Sequence, residues 1–305
     1  MLFEKIRGIR KKTNNKNEVT MAFIQSLQKI FAPRKRIIGA TDLRRALANN
    51  EFVFYYQPEW DLKTGEIQGV EALMRWESPH GIIPPNDFIP VMEETGIINE
   101  FTPFLLDQTL HDLKELHAHG YADLFMSINI SPVQLRDNSL TETIDKALTK
   151  YDISPDTLEC ELTEGRSLTK TGIELDILKT LSKKGIRISI DDFGSGNATF
   201  GYIKNLNSHK IKVDYEFIRD LFEKEANQTI MRTIIELGHA LGMIVLAEGI
   251  EKPEQEKWLR ENGCDYGQGF YLSRPLPLQM LISFLRTTTV QKQKNVSNAK
   301  KRKKA

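Results

Sequence analysis

Between residues 52 and 272 short apolar runs alternate with stretches of helical periodicity. The runs are FVFYYQP (52–58), IQGVEALMRW (67–76), LFMSINI (124–130), TLECELT (157–163), IRISIDD (186–192), HKIKVDY (209–215), GMIVLAE (242–248) and CDYGQGFYL (264–272). Most are nearly continuous in apolar residues, as strands buried on both faces are, and together they predict eight strands. FTPFLLDQTLHDLKELHAHG (101–120) carries apolar residues at helical spacing and stops at Gly120. SPDTLE and SLTKTGIELDILKTLSKKG supply capping residues and a glycine stop at Gly185, and QTIMRTIIELGHALG repeats the arrangement before the seventh strand. The first two strands are joined only by DLKTGE, a turn too short to hold a helix, so they predict a hairpin. The pattern is that of an α/β protein, an eight-stranded β/α barrel whose first strand runs against the rest.

Polar residues interrupt this pattern at or near the ends of the runs. Glu71, Asn129, Glu161, Asp191, Asp192, Glu248 and Gln268 occupy such positions, and five of them are carboxylates. Parallel barrels carry their chemistry at the carboxyl-terminal rim, where these side chains would gather. Crowded carboxylates repel one another unless a divalent cation neutralises them, so the set predicts a metal-dependent enzyme. Glu71 in GVEALMRW (69–76) sits inside an apolar strand and needs a cation or a hydrogen-bond partner, with an ion pair to Arg75 as the structural alternative. Asp191 and Asp192 in IDDFGSG (190–196) suit two neighbouring ions, although acid pairs at strand ends also cap helices. In LAEGIE (246–251), Gly249 permits a tight turn and Glu251 stands ready as a support for Glu248.

Charge divides the 305-residue chain into three parts. Residues 1–40 hold ten Lys/Arg against two acids, and 286–305 hold eight Lys/Arg and no acid. The stretch 41–285 therefore keeps 24 of the 42 bases and 39 of the 41 acids, a balance of −15. An acidic body opposes a nucleic-acid groove, and no nucleic-acid duplex is expected as a partner. The two cysteines, Cys160 and Cys264, imply neither a disulfide framework nor a zinc site, which suits a reducing cytoplasm. No run reaches the length of a membrane helix, and the amino terminus lacks a secretory apolar core. The end, QKQKNVSNAKKRKKA (291–305), has almost nothing to bury and predicts disorder. In MAFIQSLQKIF (21–31), Phe23, Ile24, Leu27, Ile30 and Phe31 share one helical face beside a basic cluster. That face fits an anionic membrane surface, a protein partner, or packing onto the body.

The motifs together carry a resemblance. Glu71-Ala72-Leu73 with Arg75, NIS at 129–131, ELTE at 161–164, DDFGSG at 191–196, KVD at 212–214, AEGIE at 247–251 and GCDYGQGFYLSRPLP at 263–277 resemble the EAL-domain family in order and approximate spacing. YYQP (55–58) and PPNDFIPVMEETG (84–96) agree, so the likeness spans about residues 42–285. The resemblance implies hydrolysis of cyclic di-GMP to linear pGpG with Mg²⁺ or Mn²⁺, two ions per site, on a barrel with an antiparallel first strand. It makes Glu71, Asn129, Glu161 and Asp191 ligands of one ion, and Asp191, Asp192 and Glu248 ligands of the second. Gln268 would support the cluster, Lys212 would activate or orient the attacking water, Glu164 would steady the loop after the fifth strand, and Glu251 would brace the seventh. Gln57 and Arg75 would contact substrate.

Three segments depart from the family pattern: GSGNATFGYI (194–203), Gly165 after ELTE, and LNSHKIKVD (206–214). They fall on regions the family associates with dimerisation and its coupling to metal, so they bear on activity level rather than on the ligands. The resemblance further implies a homodimer. The alternative function is a weak or inactive relative that binds cyclic di-GMP or a protein partner without turnover. The expected organisation is a basic amphipathic segment at 1–40, a phosphodiesterase barrel at 41–285 and a basic tail at 286–305. Localisation is expected in the cytoplasm, with peripheral contact of the amino-terminal segment at the inner membrane face.

Overall fold

The computed structural model describes residues 38–163, 172–194 and 208–289, and the architecture below refers to these. The amino-terminal segment 1–37, Glu164 and most of the departing loop 194–203 lie outside them. The chain divides into Met1–Gly39 and a second unit, Ala40–Ala305, which carries every element that follows.

Helix α1 (Ala40–Ala48) leads into the hairpin of β1 (Phe52–Asp61) and β2 (Glu66–Ser78), with β3 (Gly81–Ile83) folded back on β2. Helices α2 (Pro85–Glu94) and α3 (Ile98–Ala118) precede β4 (Phe125–Asn129), and α4 (Leu140–Tyr151) precedes β5 (Leu158–Thr163). Then come α5 (Ile173–Lys183), β6 (Arg187–Phe193), β7 (Lys210–Val213), α6 (Tyr215–Arg219), α7 (Glu225–Ala240), β8 (Ile244–Ala247), α8 (Pro253–Glu261) and β9 (Tyr266–Gly267). A last helix, α9, occupies 278–289. The strands are ordered β1-β9-β8-β7-β6-β5-β4-β2, and β1 pairs with β2 to close the ring. All contacts in the ring are parallel except the two made by β1, so the barrel is closed and its first strand runs against the others.

Strand residues of one parity face outward onto the helices. Val70, Ala72, Met126, Ile128, Leu158, Cys160, Ile188, Ile190, Ile211, Val213, Val245 and Ala247 form this shell with Leu106, Leu110 and Leu113 of α3, Leu178 and Leu181 of α5, and Met231 and Ile235 of α7. The other parity faces the lumen, because a strand alternates sides at every residue. That inner face is more polar than the apolar runs suggest: Glu59, Glu71, Ser127, Glu159, Glu161, Ser189, Lys210 and Lys212 are all buried there.

Two elements differ in extent from the sequence pattern. The eighth run, 264–272, contributes only Tyr266–Gly267 to the barrel. Beyond it the chain turns at Gly269, where a Cβ would lie 2.2 Å from the backbone of Ile250, too close for a side chain. At the other end, α9 continues through 289, past the expected start of the basic tail at 286. Leu281, Ile282 and Leu285 bury its inner face. Helices α1, α2, α4, α6, α8 and α9 come in addition to the helical patterns read above. In α4 the buried residues Leu140, Ile144, Ala147 and Leu148 recur at helical spacing, and Asp152 closes the helix with a φ of 52°.

Candidate active site

All eight strands of the ring deliver a polar side chain to one rim, from within the strand or from the residue directly after it. Register sets their level: Asn129 lies opposite Glu161, and Gln57 of β1 lies opposite Glu71 of β2. Glu248 follows β8 directly, its N–H donating to the Val213 carbonyl at 3.1 Å, and Gln268 follows β9, donating to the Ala247 carbonyl at 2.9 Å. Asp191 and Asp192 are neighbours, and in a regular strand they would point to opposite faces. A register shift between Ile190 and Phe193, with Asp192 at a φ of 55°, breaks the alternation. As a result carboxylate oxygens of Asp191, Asp192 and Glu248 all lie within 4.8 Å of one another. Gly249 makes the turn after Glu248 at a φ of 70°, with a Cβ position only 2.7 Å from Cβ of Tyr215, so a side chain is excluded.

Lys212 stands at the centre. Its fully buried Nζ lies 2.7 Å from Glu161 Oε2, 2.9 Å from Glu248 Oε1, and 3.3 Å from both Glu71 Oε2 and Asp191 Oδ1. Glu71 is held further by two amides, Asn129 Nδ2 donating to Oε1 at 2.9 Å and Gln268 Nε2 to Oε2 at 2.8 Å. Burial alone would discharge the lysine, but Asp191, Glu161, Glu248 and Glu71 keep it protonated well above its ordinary value. One ammonium does not offset so many acids. Burial, against the pull of Lys212, holds Glu161 well above the carboxylate range and lifts Glu248 to about 8. Burial and the charge of Asp191 lift Asp192 to about 6. Glu71 alone among these falls below the usual range: burial opposes its charge, but Lys212 and the two amides outweigh it.

The site is therefore short of positive charge, and it also carries unused ligand atoms. Glu161 Oε1 and Gln268 Oε1 are buried without a hydrogen-bond donor, and Asp191 Oδ1 has only the Lys212 ammonium 3.3 Å away, in an ion pair that is not a hydrogen bond. Oxygen donors, several of them carboxylates, with unpaired lone pairs and a charge deficit are what a hard divalent cation takes. The residues fit such an ion.

Two cavities meet at the cluster, sharing Glu71, Leu73 and Asp191. One, of about 430 Å³, is lined by Gln57, Tyr215, Glu248, Glu251, Gln268 and Phe270 among others. The second, of about 390 Å³, extends over Asn129, Ser131 and Asp192 to an apolar wall of Ile89, Met92 and Phe101. Gln57 is tethered by its Nε2 to the Ser273 carbonyl at 3.1 Å. Arg75 is half-buried, donates to the Met74 carbonyl at 2.9 Å, and lines neither cavity. Glu251 reaches the first cavity, while its backbone N–H is held by Gln255 Oε1 at 2.9 Å.

A second polar layer lies one inward position deeper, and attention to run ends alone passes over it. Lys210 Nζ lies 2.5 Å from Glu59 Oε2 and 2.6 Å from Glu159 Oε1, all fully buried. Ser127 Oγ is 3.1 Å from Glu59 Oε1 and 3.0 Å from Glu159 Oε1. The sequence signal is a charge at spacing two from a rim residue, as in Glu159 with Glu161 and Lys210 with Lys212.

This chain belongs to the EAL family: residues 40–275 match the EAL domain model. It is 39% identical over 244 residues to the signaling protein YkoW of Bacillus subtilis, covering 80% of this chain and 30% of YkoW. It is 36% identical to the bifunctional diguanylate cyclase/cyclic di-GMP phosphodiesterase MucR of Pseudomonas aeruginosa, covering 79% of this chain and 36% of MucR. The chain thus spans about a third of the length of these relatives. The solved structure of the MucR phosphodiesterase in complex with c-di-GMP matches with a TM-score of 0.76 at 36% identity, covering 79% of this chain and 98% of that one. An EAL-domain protein from Listeria monocytogenes matches with a TM-score of 0.72 at 30% identity, covering 83% and 99%.

Proposed function

We propose that this barrel hydrolyses cyclic di-GMP to linear pGpG in a reaction dependent on Mg²⁺ or Mn²⁺, two ions per site. The observation that carries the reading is the charge-deficient cluster around Lys212, placed where two cavities of small-ligand size meet. A cyclic dinucleotide has two nucleotide halves joined through phosphates, so a phosphodiester at the junction leaves one half for each cavity. The names borne by MucR and by its solved complex support the substrate.

Glu71, Asn129, Glu161 and Asp191 would hold one ion and Asp191, Asp192 and Glu248 the other; bound ions supply Lewis acidity toward the phosphodiester and neutralise charge that builds up on it. Lys212 Nζ holds a proton among the carboxylates and orients the attacking water, whose hydroxyl joins phosphorus while its second proton leaves with O3′. One P–O3′ bond breaks, giving a 3′-hydroxyl and a 5′-phosphate. Gln268 and Asn129 fix Glu71, and Gln57, which lines the first cavity, contacts the substrate; Arg75, further along β2 and lining neither cavity, would reach only a part of the substrate that extends beyond them. Glu251 braces the turn after Glu248, and Glu164 steadies the loop that follows the paired aspartates. The same reading makes the protein a two-fold homodimer; a monomer at every concentration in analytical ultracentrifugation would remove that part.

The direct test is purified protein with cyclic di-GMP and Mn²⁺ or Mg²⁺, products followed by chromatography. pGpG should accumulate, and excess EDTA should stop it. Tight binding without product, in every metal tried, would leave a binding module in its place.

A further inference from the structure

We infer that Lys210 is a positioning residue, a cation tethered inside the barrel that keeps divalent ions out of the lumen and leaves Glu161 free for the rim. The inference rests on the metal-dependent reading of the rim site above. Oxygens of Glu59, Glu159 and Glu161 lie within 4.8 Å of one another, and all three side chains are buried. This is a second acidic cage directly below the first, and the two share Glu161. Two of its oxygens, Glu159 Oε2 and Glu161 Oε1, are buried with no hydrogen-bond partner. Ser127 Oγ adds a neutral oxygen beside Glu59 and Glu159.

The ammonium of Lys210 sits between Glu59 and Glu159 and fills the place a cation would take. Below it the cage is closed by the ring of Phe125, 5.0 Å from Nζ, with the Arg187 guanidinium 4.9 Å from the same ring. A buried pair of carboxylates without a counter-charge is costly, so the cage needs either this ammonium or an ion in its stead. An ion there would draw Glu161 inward, away from Lys212 and from the rim. Because the lysine is covalently attached, it holds the cage at any metal concentration, and ions are confined to the rim. Lys210 and Lys212, two apart on β7, thus divide the lumen into a layer filled by the protein's own cation and a layer open to metal.

The test compares the wild-type chain with Lys210→Ala, Lys210→Met and the double variant Glu59→Gln/Lys210→Ala. Manganese bound per chain is counted by equilibrium dialysis, and the melting temperature is followed against Mn²⁺ concentration. Lys210→Ala opens the cage and should bind one Mn²⁺ more per chain than wild type, with a larger Mn²⁺-dependent rise in melting temperature. Lys210→Met removes the charge but keeps the bulk, and the double variant removes a ligand; neither should gain the ion. Turnover of cyclic di-GMP by Lys210→Ala should fall at least tenfold. If Lys210→Ala is unfolded without metal, Mn²⁺ should restore its transition while Lys210→Met stays unrescued. Equal Mn²⁺ counts and equal melting shifts in Lys210→Ala and wild type would overturn the inference. A wild-type chain that binds manganese but releases no pGpG would defeat the proposed function and leave the comparison of metal counts intact.

Discussion

Lys212 decides the chemistry at the scale of single residues. It touches four carboxylates at once and is fully buried, so its removal leaves those acids to be neutralised by ions or protons alone. Lys212→Ala is expected to lower turnover about 10²- to 10⁴-fold, the range for a lost proton-handling group. Cyclic di-GMP affinity measured in Ca²⁺ should change little; near-normal turnover would contradict its role. Gln268→Ala, which loses a donor to Glu71, should weaken Mn²⁺ binding roughly 10- to 100-fold by titration calorimetry. The acids also set a pH dependence. Glu248 is lifted to about 8 and Asp192 to about 6, so in the metal-free site both are largely protonated below those values. A metal ion must displace these protons. Mn²⁺ affinity should therefore climb as pH rises from 6 to above 8 and then level off, with protons released on binding at pH 7. Affinity flat across that window would show that neither acid is a ligand.

Among the elements, the strands and the hairpin are legible in the sequence because their apolar residues recur without a break and DLKTGE leaves no room for a helix. The rim residues are legible for a related reason: each lies within or at the end of an apolar run, where burial makes a polar side chain conspicuous. What the pattern conceals follows from the same physics. A charge such as Glu159 or Lys210 inside a run reads as an isolated exception, because its partners lie on strands distant in sequence and only the closed ring brings them together. The bulge at Asp191 and Asp192 has no propensity signal, since aspartate tolerates positive φ without advertising it. Strand β9 is short because packing of Gly267 and Gly269 against Ile250 ends it, a tertiary cause. Packing also yields a prediction for β2. A Cβ on Gly69 would lie 2.3–2.5 Å from the Phe125 ring, which is itself stacked by Arg187 and Lys210. Gly69→Ala should cost about 1–3 kcal/mol in denaturant unfolding. A change below a few tenths of a kcal/mol would mean that the ring moves freely aside.

For the molecule as a whole, the uneven charge poses the remaining problem. The stretch 41–285 has a balance of −15, and 1–40 carries ten bases against two acids. The barrel closes and its site assembles within the unit Ala40–Ala305. Among the described residues no helix is long and apolar enough to cross a membrane. The sequence of 21–31, which lies outside the described residues, would present one apolar face if helical, next to Arg34, Lys35 and Arg36, a combination that would suit an anionic bilayer surface. Each basic residue close to such a surface adds roughly 1 kcal/mol, and added salt screens it. The acidic barrel would be repelled by the same surface, so any attraction must come from the basic ends. The expectation is salt-sensitive sedimentation with phosphatidylglycerol vesicles that a chain beginning at Ile37 loses, while its hydrolysis of cyclic di-GMP is unchanged. Equal sedimentation of the two chains would assign the attraction elsewhere, and lost turnover in the shorter one would make the segment part of the catalytic body.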